Sequence, residues 1–465
     1  MSHTQTLVRF VRGLCFEDLP PQVVDSAKRH LLDVVGVGLL GAQQLMPQNA
    51  LRGIVVMPGS GGRVQVWGSD RTLAAPYAAM ANGMACHVLD FDDTHTLGIV
   101  HGSAILAPLL LALGEDHDLS GSQLLTAFVA GWEVAARVGA AARGTIQQRG
   151  YHTTAIAGIF GAAAAAGKVL GHSEEQLVHA MGLAGSQAAG INEYQINGSS
   201  SKILHTGWAA YSGIVAAYLA GAGMTGPLTV FEGAAGILAT HGDRQRSEPS
   251  ELVKDLGSVW EITRVSIKPY PCCHFLHGFI DCALQLRRHG VSVSDIEEIE
   301  AVVPEVEVPF ICEPAALRER PVTAYIAKFS LPLTVSAALI DGTIGHETFT
   351  DAYLARTDVR ELSSRVKYRV AAPGETTFPK YYPGWLRMRV RDGRLLEQKL
   401  DINWGAPENP MSRDAVERKF RDNARGILSS RAIEGLLDAV ASLDHANSGS
   451  LGKLLGRAGA ERKTA

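Results

Sequence analysis

The chain of 465 residues is long enough for about two or three domains, and its composition excludes several classes of protein. Hydrophobic residues make up 46% and charged residues 19%, a balance that excludes an intrinsically disordered chain. The net charge is −4 and lysine and arginine form no long run, so neither a nucleic acid nor a membrane is expected as a partner.

The N-terminus and the cysteines predict a cytoplasmic protein. The first residues lack the basic and apolar regions of a signal peptide. The six cysteines are few and irregularly spaced for a chain of this length, which argues against a disulfide framework.

The first 265 residues are predicted to form one helix after another. Apolar or small residues recur at helical spacing in several long segments. Ser173, with Gln176 three residues later, forms a capping box that predicts a helix running to about residue 189. The other candidate helices are 21–40, 120–142, 150–170 and 201–219.

The pattern changes near residue 262, where β-like segments begin. A hairpin is predicted at 386–402 with its turn at Asp392-Gly393. The simplest organisation is a mostly α protein with two domains. A large all-helical domain is built from both chain ends, 1–265 and 406–465, and a smaller α+β domain, 266–405, is inserted. The other predicted elements are strands at 262–267, 297–308 and 369–372, and helices at 324–339 and 412–443.

The segment 87–95 carries three carboxylates and two imidazoles, and His101 follows closely. It could be a solvated helix end, a site for a divalent metal ion, or an acid–base site in which a carboxylate orients His101 or Thr94. A metal-dependent hydrolase would use Asp90, Asp92, Asp93 and His95.

Two further segments place ionisable residues next to apolar helices. His152 stands at the start of the Ala-rich helix, where the helix dipole favours a neutral imidazole and therefore a general base, although a buried capping role is also possible. Lys202 and His205 share one helix face. In apolar surroundings Lys202 needs an anionic partner, either a substrate carboxylate or the carboxylates of 90–93.

A third segment, 268–277, lies at the predicted domain junction. Its cysteines and histidines could be drawn as a zinc site, but adjacent cysteines strain that geometry. Histidines at a helix start, facing a cleft between the domains, fit the segment better. The residues concerned are Cys272, Cys273, His274 and His277.

Taken together, these motifs resemble those of the MmgE/PrpD family. They occur in the same order as in that family and span nearly the whole chain. They are Leu89-Asp90-Phe91-Asp92-Asp93-Thr94, Arg149-Gly150-Tyr151-His152, the segment of Lys202 and His205, Phe231-Glu232-Gly233, Lys268-Pro269-Tyr270-Pro271 and Ala327-Lys328-Phe329-Ser330-Leu331-Pro332. The family includes 2-methylcitrate dehydratase, cis-aconitate decarboxylase and iminodisuccinate epimerase. The resemblance implies a helical domain with a smaller α+β lid, a homodimer, and neither a metal nor an organic cofactor.

The resemblance also implies roles for individual residues. His101 and His152 would be the acid and base, with His95 a rival of His101, and Asp90 would orient an imidazole. Thr94 would donate to a substrate carboxylate. The implied catalytic residues are Asp90, Thr94, His101, His152, Lys202 and His277. Cations and hydrogen-bond donors could bind a substrate carboxylate, and the candidate substrate-binding residues are Arg149, Tyr151, Lys268 and Tyr270.

These roles predict a cofactor-independent lyase that removes a proton next to a carboxylate of a small di- or tricarboxylate. A dehydratase of the 2-methylcitrate type is the first expectation, and an epimerase or decarboxylase acting on an iminodisuccinate- or cis-aconitate-like substrate is the alternative. Decarboxylase members carry a functional tyrosine where this chain has Leu333, whereas the Arg-Gly-Tyr-His form at 149–152 differs from the dehydratase subgroup.

Overall fold

The fold is known from a computed structural model, in which residues 2–447, 451, 452, 454 and 455 are described. Helices predominate. In the first 240 residues they are α1 (His3–Gly13), α2 (Pro21–Gly41), α3 (Leu45–Ile54), α4 (Ala75–His87), α5 (Ser103–His117), α6 (Gly121–Ala141), α7 (Thr145–Gln148), α8 (Thr153–Val169), α9 (Glu174–Gly185), α10 (Tyr194–Asn197), α11 (Lys202–Gly221) and α12 (Ile237–Thr240). They are followed by α13 (His277–Arg287), α14 (Val308–Ile311), α15 (Ala315–Glu319), α16 (Ala324–Ala327), α17 (Leu331–Asp341), α18 (Asp351–Leu354), α19 (Thr357–Ser363), α20 (Arg413–Ala424) and α21 (Ser430–Ala441).

The strands are short and form three small sheets within the described residues. They are β1 (Gly61–Gln65), β2 (Thr72–Leu73), β3 (Thr94–His95), β4 (Val265–Ser266), β5 (Ile296–Val303), β6 (Val366–Val370), β7 (Gly384–Val390) and β8 (Leu395–Leu400).

The chain divides into two compact units. Among the described residues, the first unit contains those up to Val88, 92–267 and those from Ser412 onward, and the second contains 89–91 and 268–411. Whether the second unit acts as a lid stays a prediction. Of the predicted C-terminal stretch 406–465, residues 448–450, 453 and 456–465 lie outside the described residues.

Local capping chemistry explains where several helices begin. Ser173 accepts a hydrogen bond from the backbone of Gln176, which confirms the predicted capping box, and Ser120 with Gln123 forms another at the start of α6. Helix α9 ends at Gly185, four residues before the predicted end.

Two helices expected to be continuous are interrupted. The predicted helix 324–339 is divided into α16 and α17, because Ser330 caps a new helix start and Pro332 follows in its first turn. The predicted helix 412–443 is likewise divided into α20 and α21. Between them Gly426 has a positive φ of 73°, a conformation that ends a helix.

In the first unit, α4 and α11 approach each other closely through glycines. A methyl group added at Gly207 would lie 2.5 Å from the carbonyl oxygen of Met80, and one added at Gly83 would lie 3.1 Å from the Cα atom of Gly207. Only glycine allows this approach, and these are the helices that carry His87 and His205.

Helix α6 is long and apolar enough to cross a membrane, but its most apolar stretch of 18 residues is entirely buried inside the protein. It also carries Glu133 and Arg137, which form a buried ion pair of 3.0 Å one turn apart. Burial and pairing of this kind are typical of a core helix in a folded domain.

The second unit is built on a four-stranded sheet with strand order β6-β5-β7-β8. The pair β5–β6 is parallel and the other pairs are antiparallel. The predicted hairpin is confirmed as β7 and β8. The two other strands predicted in this sheet have different bounds. Strand β5 is Ile296–Val303 where 297–308 was expected, and β6 is Val366–Val370 where 369–372 was expected. Helices α13 and α17 pack on this sheet and close its apolar core.

Candidate active site

Four histidine side chains of the first unit lie together. His87 ends α4, His101 precedes α5, His152 is the N-cap of α8 and His205 lies in the first turn of α11. The ring centroid of His152 is 5.6 Å from that of His87, 6.2 Å from that of His101 and 5.2 Å from that of His205. The structure therefore brings the predicted residues His101 and His152 into one cluster, and it adds His87 and His205 to them.

The orientation of His101 is fixed by the loop before α5. Its Nδ1 atom lies 2.7 Å from the carbonyl oxygen of Asp93 and 3.1 Å from Oγ1 of Thr94. A carbonyl oxygen only accepts hydrogen bonds, so Nδ1 of His101 carries a proton and donates it. The predicted residues Thr94 and His101 are thus in direct contact.

His95 belongs to a different network. Its Nδ1 atom accepts a hydrogen bond of 2.9 Å from the backbone N–H of Gly98, so its proton is on Nε2 and is donated to Glu261 at 3.0 Å. Glu261 also lies near Arg137 of α6. Of the two rival loop histidines, the structure places His101 beside His152 and turns His95 towards this acidic partner.

Two other imidazoles of the cluster, those of His152 and His205, form a pair held in the neutral state. The Nδ1 atoms of His152 and His205 are 3.0 Å apart, so one donates and the other accepts. Burial is the main cause that lowers the pKa of His152 well below its usual value. The pKa of His205 is lowered to about 4, first by burial and then by the charges of His87 and Lys202. A neutral imidazole at pH 7 can accept a proton.

Lys202 is buried at the first position of α11, one turn before His205. Its positive charge contributes to the lowered pKa of both paired imidazoles. The ring of Tyr194 packs edge-on against His152 and His205, at 6.0 and 5.7 Å. A buried cation beside neutral imidazoles is an arrangement that can hold an anionic ligand.

Arg149 and Tyr151 lie near this cluster in sequence but have other contacts. Arg149 is exposed, and its guanidinium donates to the carbonyl oxygen of Gly242 at 3.0 Å. Tyr151 packs against the ring of His241, with 4.8 Å between centroids. Their predicted role in substrate binding stays a prediction.

In the second unit, two buried lysines hold the segment 89–91. Lys268 donates to the carbonyl oxygen of Asp90 at 3.0 Å and to its carboxylate at 3.2 Å. Lys328 donates to the carbonyl oxygens of Leu89 and Pro271 at 2.7 and 2.8 Å. Asp90 has a positive φ of 54°, so these contacts fix an uncommon backbone conformation. The predicted residues Asp90 and Lys268 are partners of each other.

Tyr270 and His277, also in the second unit, face buried polar groups. The hydroxyl of Tyr270 donates to Asp281 at 2.7 Å, and burial raises the pKa of Asp281 to about 6. The Nε2 atom of His277 donates to the carbonyl oxygen of Cys272 at 3.3 Å, and its ring packs edge-on against Tyr270.

Within the described part of the chain, no three His, Cys, Asp or Glu side chains are arranged to hold a metal ion. The carboxylates proposed for a hydrolase have separate partners. Asp92 lies 2.7 Å from His87, and Asp93 lies 2.8 Å from His30.

Both halves of the chain match one family. The MmgE/PrpD N-terminal domain matches residues 5–250, and the MmgE/PrpD C-terminal domain matches residues 270–445. The chain belongs to the MmgE/PrpD family. Among its relatives, human cis-aconitate decarboxylase is 30% identical over 95% of this chain and 92% of its own length. The mouse cis-aconitate decarboxylase is 29% identical over 95% and 91%, and the cis-aconitate decarboxylase-like protein oryM of Aspergillus oryzae is 28% identical over 95% and 94%.

Three notable residues of this MmgE/PrpD protein were absent from the predicted site. His205 had a visible signal, because it lies three residues after Lys202 on the same helix face. His87 belonged to the ionisable segment 87–95, but its contact with Asp92 depends on α4 ending at His87 and the next turn folding back. Lys328 lay within a family motif, but its two carbonyl partners follow only from the fold.

Proposed function

We propose that this MmgE/PrpD protein is a lyase that acts on a small di- or tricarboxylate and needs no cofactor. The observation that carries the proposal is the first-unit cluster, in which buried Lys202 lies at the start of α11 beside the neutral pair His152 and His205. The proposal is further supported by relatives that match nearly the full chain and are named cis-aconitate decarboxylase or cis-aconitate decarboxylase-like, since a decarboxylase is a lyase.

The chemistry of such a lyase demands charge stabilisation. When a bond breaks at a carbon next to a carboxylate, an electron pair is left that the carboxylate must absorb. Lys202 supplies a fixed positive charge for that carboxylate, and a fixed charge in a buried site stabilises developing negative charge far better than water does. His101 and His152 are the candidates for proton transfer.

Decarboxylation of a cis-aconitate-like substrate is the first candidate, because the relatives reported above are named cis-aconitate decarboxylase or cis-aconitate decarboxylase-like protein. The C–C bond to one carboxylate breaks, CO2 leaves, and the electron pair passes into the neighbouring carboxylate system. A protonated imidazole, for which His101 is the candidate, then returns one proton to carbon. Neutral His152 can hold the departing carboxylate by a hydrogen bond. A charged imidazole would instead form an ion pair that stabilises the carboxylate before the C–C bond breaks, and this would slow the reaction.

Dehydration is the second candidate, and Leu333 favours it. This residue is 3% exposed in the first turn of α17 and belongs to the apolar core of the second unit. It therefore offers no hydroxyl at the position where decarboxylase members carry a functional tyrosine. In a dehydration, neutral His152 would remove the proton next to the carboxylate and an acid would protonate the departing hydroxyl.

We also propose that the protein forms a homodimer through its first unit. Apolar side chains recur along one side of α11 at spacings of three and four residues, and several reach solvent. Leu204 is 41% exposed and Tyr218 is 43% exposed, while Trp208 and Tyr211 stack on each other between them. A second copy of the chain would cover this stripe symmetrically.

The substrate test is direct. Chelator-treated enzyme is incubated separately with cis-aconitate and 2-methylcitrate, and the products are followed by proton NMR. A product with one carboxylate fewer supports decarboxylation, and an unsaturated tricarboxylate formed from 2-methylcitrate supports dehydration. If neither compound nor any other member of a polycarboxylate panel is converted, the proposed function is wrong. Activity that returns only with a divalent ion would favour a metal-dependent hydrolase instead.

A further inference from the structure

Asp93 joins the loop before α5 to two helices of the first unit. Its carboxylate oxygen Oδ2 lies 2.8 Å from Nδ1 of His30 on α2, and it also accepts a hydrogen bond from the hydroxyl of Ser103, the first residue of α5. A carboxylate only accepts hydrogen bonds, so His30 donates from Nδ1. The side chain of Asp93 is not exposed, and that of His30 is 4% exposed. The carboxylate is therefore anchored to both helices in the interior of the unit.

Ser103 is held in turn by Trp132 of α6. The indole N–H of the buried Trp132 donates to the hydroxyl oxygen of Ser103 at 3.2 Å. An indole nitrogen is only a donor, so this hydroxyl accepts from Trp132 and its own proton is left for Asp93. The same ring leaves no room for a side chain at Gly102, where an added methyl group would lie 2.8 Å from it. Asp93 is thus surrounded by a buried hydrogen-bond network.

The backbone of Asp93 faces the candidate active site. Its carbonyl oxygen accepts the Nδ1 proton of His101 at 2.7 Å, a closer contact than those of Nδ1 with Thr94 at 3.1 Å and with Asp92 at 3.8 Å. A neutral imidazole carries one proton, so a proton fixed on Nδ1 leaves Nε2 as the nitrogen that can take up and release another. Because a rotation of the backbone at Asp93 would carry its carboxylate away from the donors, the network also fixes this carbonyl oxygen.

We infer that Asp93 is a positioning residue, whose carboxylate is anchored by His30 and Ser103 so that its carbonyl oxygen keeps the proton of His101 on Nδ1. In this role Asp93 acts through His101 and contacts no reacting atom. Both close hydrogen bonds reach the same oxygen, Oδ2, whereas Oδ1 lies 3.4 Å from the backbone N–H of Ser103. One oxygen atom is therefore sufficient here, and the amide oxygen of an asparagine can supply it.

The inference rests on the proposed function only where activity is measured, so its main test does not need turnover. Histidine labelled with ¹⁵N is incorporated, the signals of His101 are assigned from His101→Gln, and the tautomer is read at alkaline pH, where an imidazole is neutral. In the wild type, Nδ1 of His101 should carry the proton. Asp93→Ala should populate the form protonated on Nε2, because the carbonyl oxygen is no longer held, whereas Asp93→Asn should keep the wild-type tautomer.

Ser103→Ala removes one of the two close donors, so it should change the tautomer of His101 in the same direction, and it replaces Asp93→Ala if that variant fails to fold. Ser26→Ala is its matched control, because Ser26 is also a buried serine, and its hydroxyl donates to the carbonyl oxygen of Ile262 at 3.1 Å. This control should leave the tautomer unchanged. A proton on Nε2 of His101 in the wild type would overturn the inference. So would a wild-type tautomer in folded Asp93→Ala, or in Ser103→Ala where it takes its place, or equal changes in Asp93→Ala and Asp93→Asn.

Activity provides a second readout. The kcat of Asp93→Ala should fall by up to about 10²-fold, the cost of misplacing a catalytic group by about 1 Å, while Asp93→Asn should keep most of the activity. An equal loss in both variants would show that the charge of Asp93 is required, and it would overturn the inference. If the wild type converts no polycarboxylate, the proposed function fails, while the tautomer of His101 still decides the inference.

Discussion

Replacing Lys268 by methionine should destabilise the second unit strongly. Lys268 donates to both the carbonyl oxygen and the carboxylate of Asp90, and the two side chains are 1% and 6% exposed. Methionine has nearly the same length but no charge, so the variant leaves a buried carboxylate without its cation. Removing one partner of a buried ion pair typically costs about 3–5 kcal/mol. Urea unfolding of the wild type and of Lys268→Met measures this loss.

Two further variants show whether the pair is the cause. In Lys268→Met combined with Asp90→Asn, the carboxylate is removed as well, so much of the lost stability should return. Lys254→Met is the surface control, because Lys254 pairs with Glu251 at 3.2 Å while 60% exposed, and such pairs contribute about 0–1 kcal/mol. The reasoning is refuted if Lys268→Met is as stable as Lys254→Met, or if the double variant is no more stable than Lys268→Met alone.

Three more predictions concern ligand binding, assembly and pH. Lys202→Met should lose most of the rise in Tm that a polycarboxylate produces in the wild type, since ligand stabilises only the state that binds it; a full rise in the variant would remove Lys202 from the site. Light scattering should give a mass near twice 49.6 kDa, and replacing Leu204 or Tyr218 by lysine should lower it; a monomeric wild type would contradict the dimer. Because the pKa of Asp281 is raised from 3.8 to about 6, the folded state binds a proton more tightly than the unfolded state, so this residue's contribution to stability is lost as the pH rises from about 4 to 6. Asp281→Asn should flatten that part of the stability curve, and an unchanged slope would show that Asp281 does not cause it.

Elements specified by local chemistry were predictable from the sequence. The capping box at Ser173 and the turn at Asp392-Gly393 depend on residues within a few positions of each other, and both are present in the structure. The break before α17 was missed although its signals, Ser330 and Pro332, are local. The apolar pattern of 324–339 continues across that break, so the pattern predicted one continuous helix.

The contacts within the candidate site, in contrast, could not be predicted from the sequence. Sequence spacing marked His101, His152 and Lys202 as ionisable residues in apolar segments, but it could not show which groups they contact. The bond between Lys268 and Asp90 joins positions 178 residues apart, and the contact of His152 with His205 spans 53 residues. Such contacts depend on helix packing, including the close approach at Gly207, which no short motif encodes.

The central claim is that this chain is a lyase whose reaction depends on the neutral imidazole of His152. It is tested most directly by comparing wild type and His152→Gln, matched for Tm and circular dichroism, in the conversion of cis-aconitate and 2-methylcitrate. The wild type should convert at least one of the two. The variant should be slower by about 10²–10⁴-fold in a dehydration, where His152 transfers a proton, and by about 10²–10³-fold in a decarboxylation, where it holds a carboxylate by a hydrogen bond. Equal rates in the two proteins, or no conversion by the wild type, would contradict the claim.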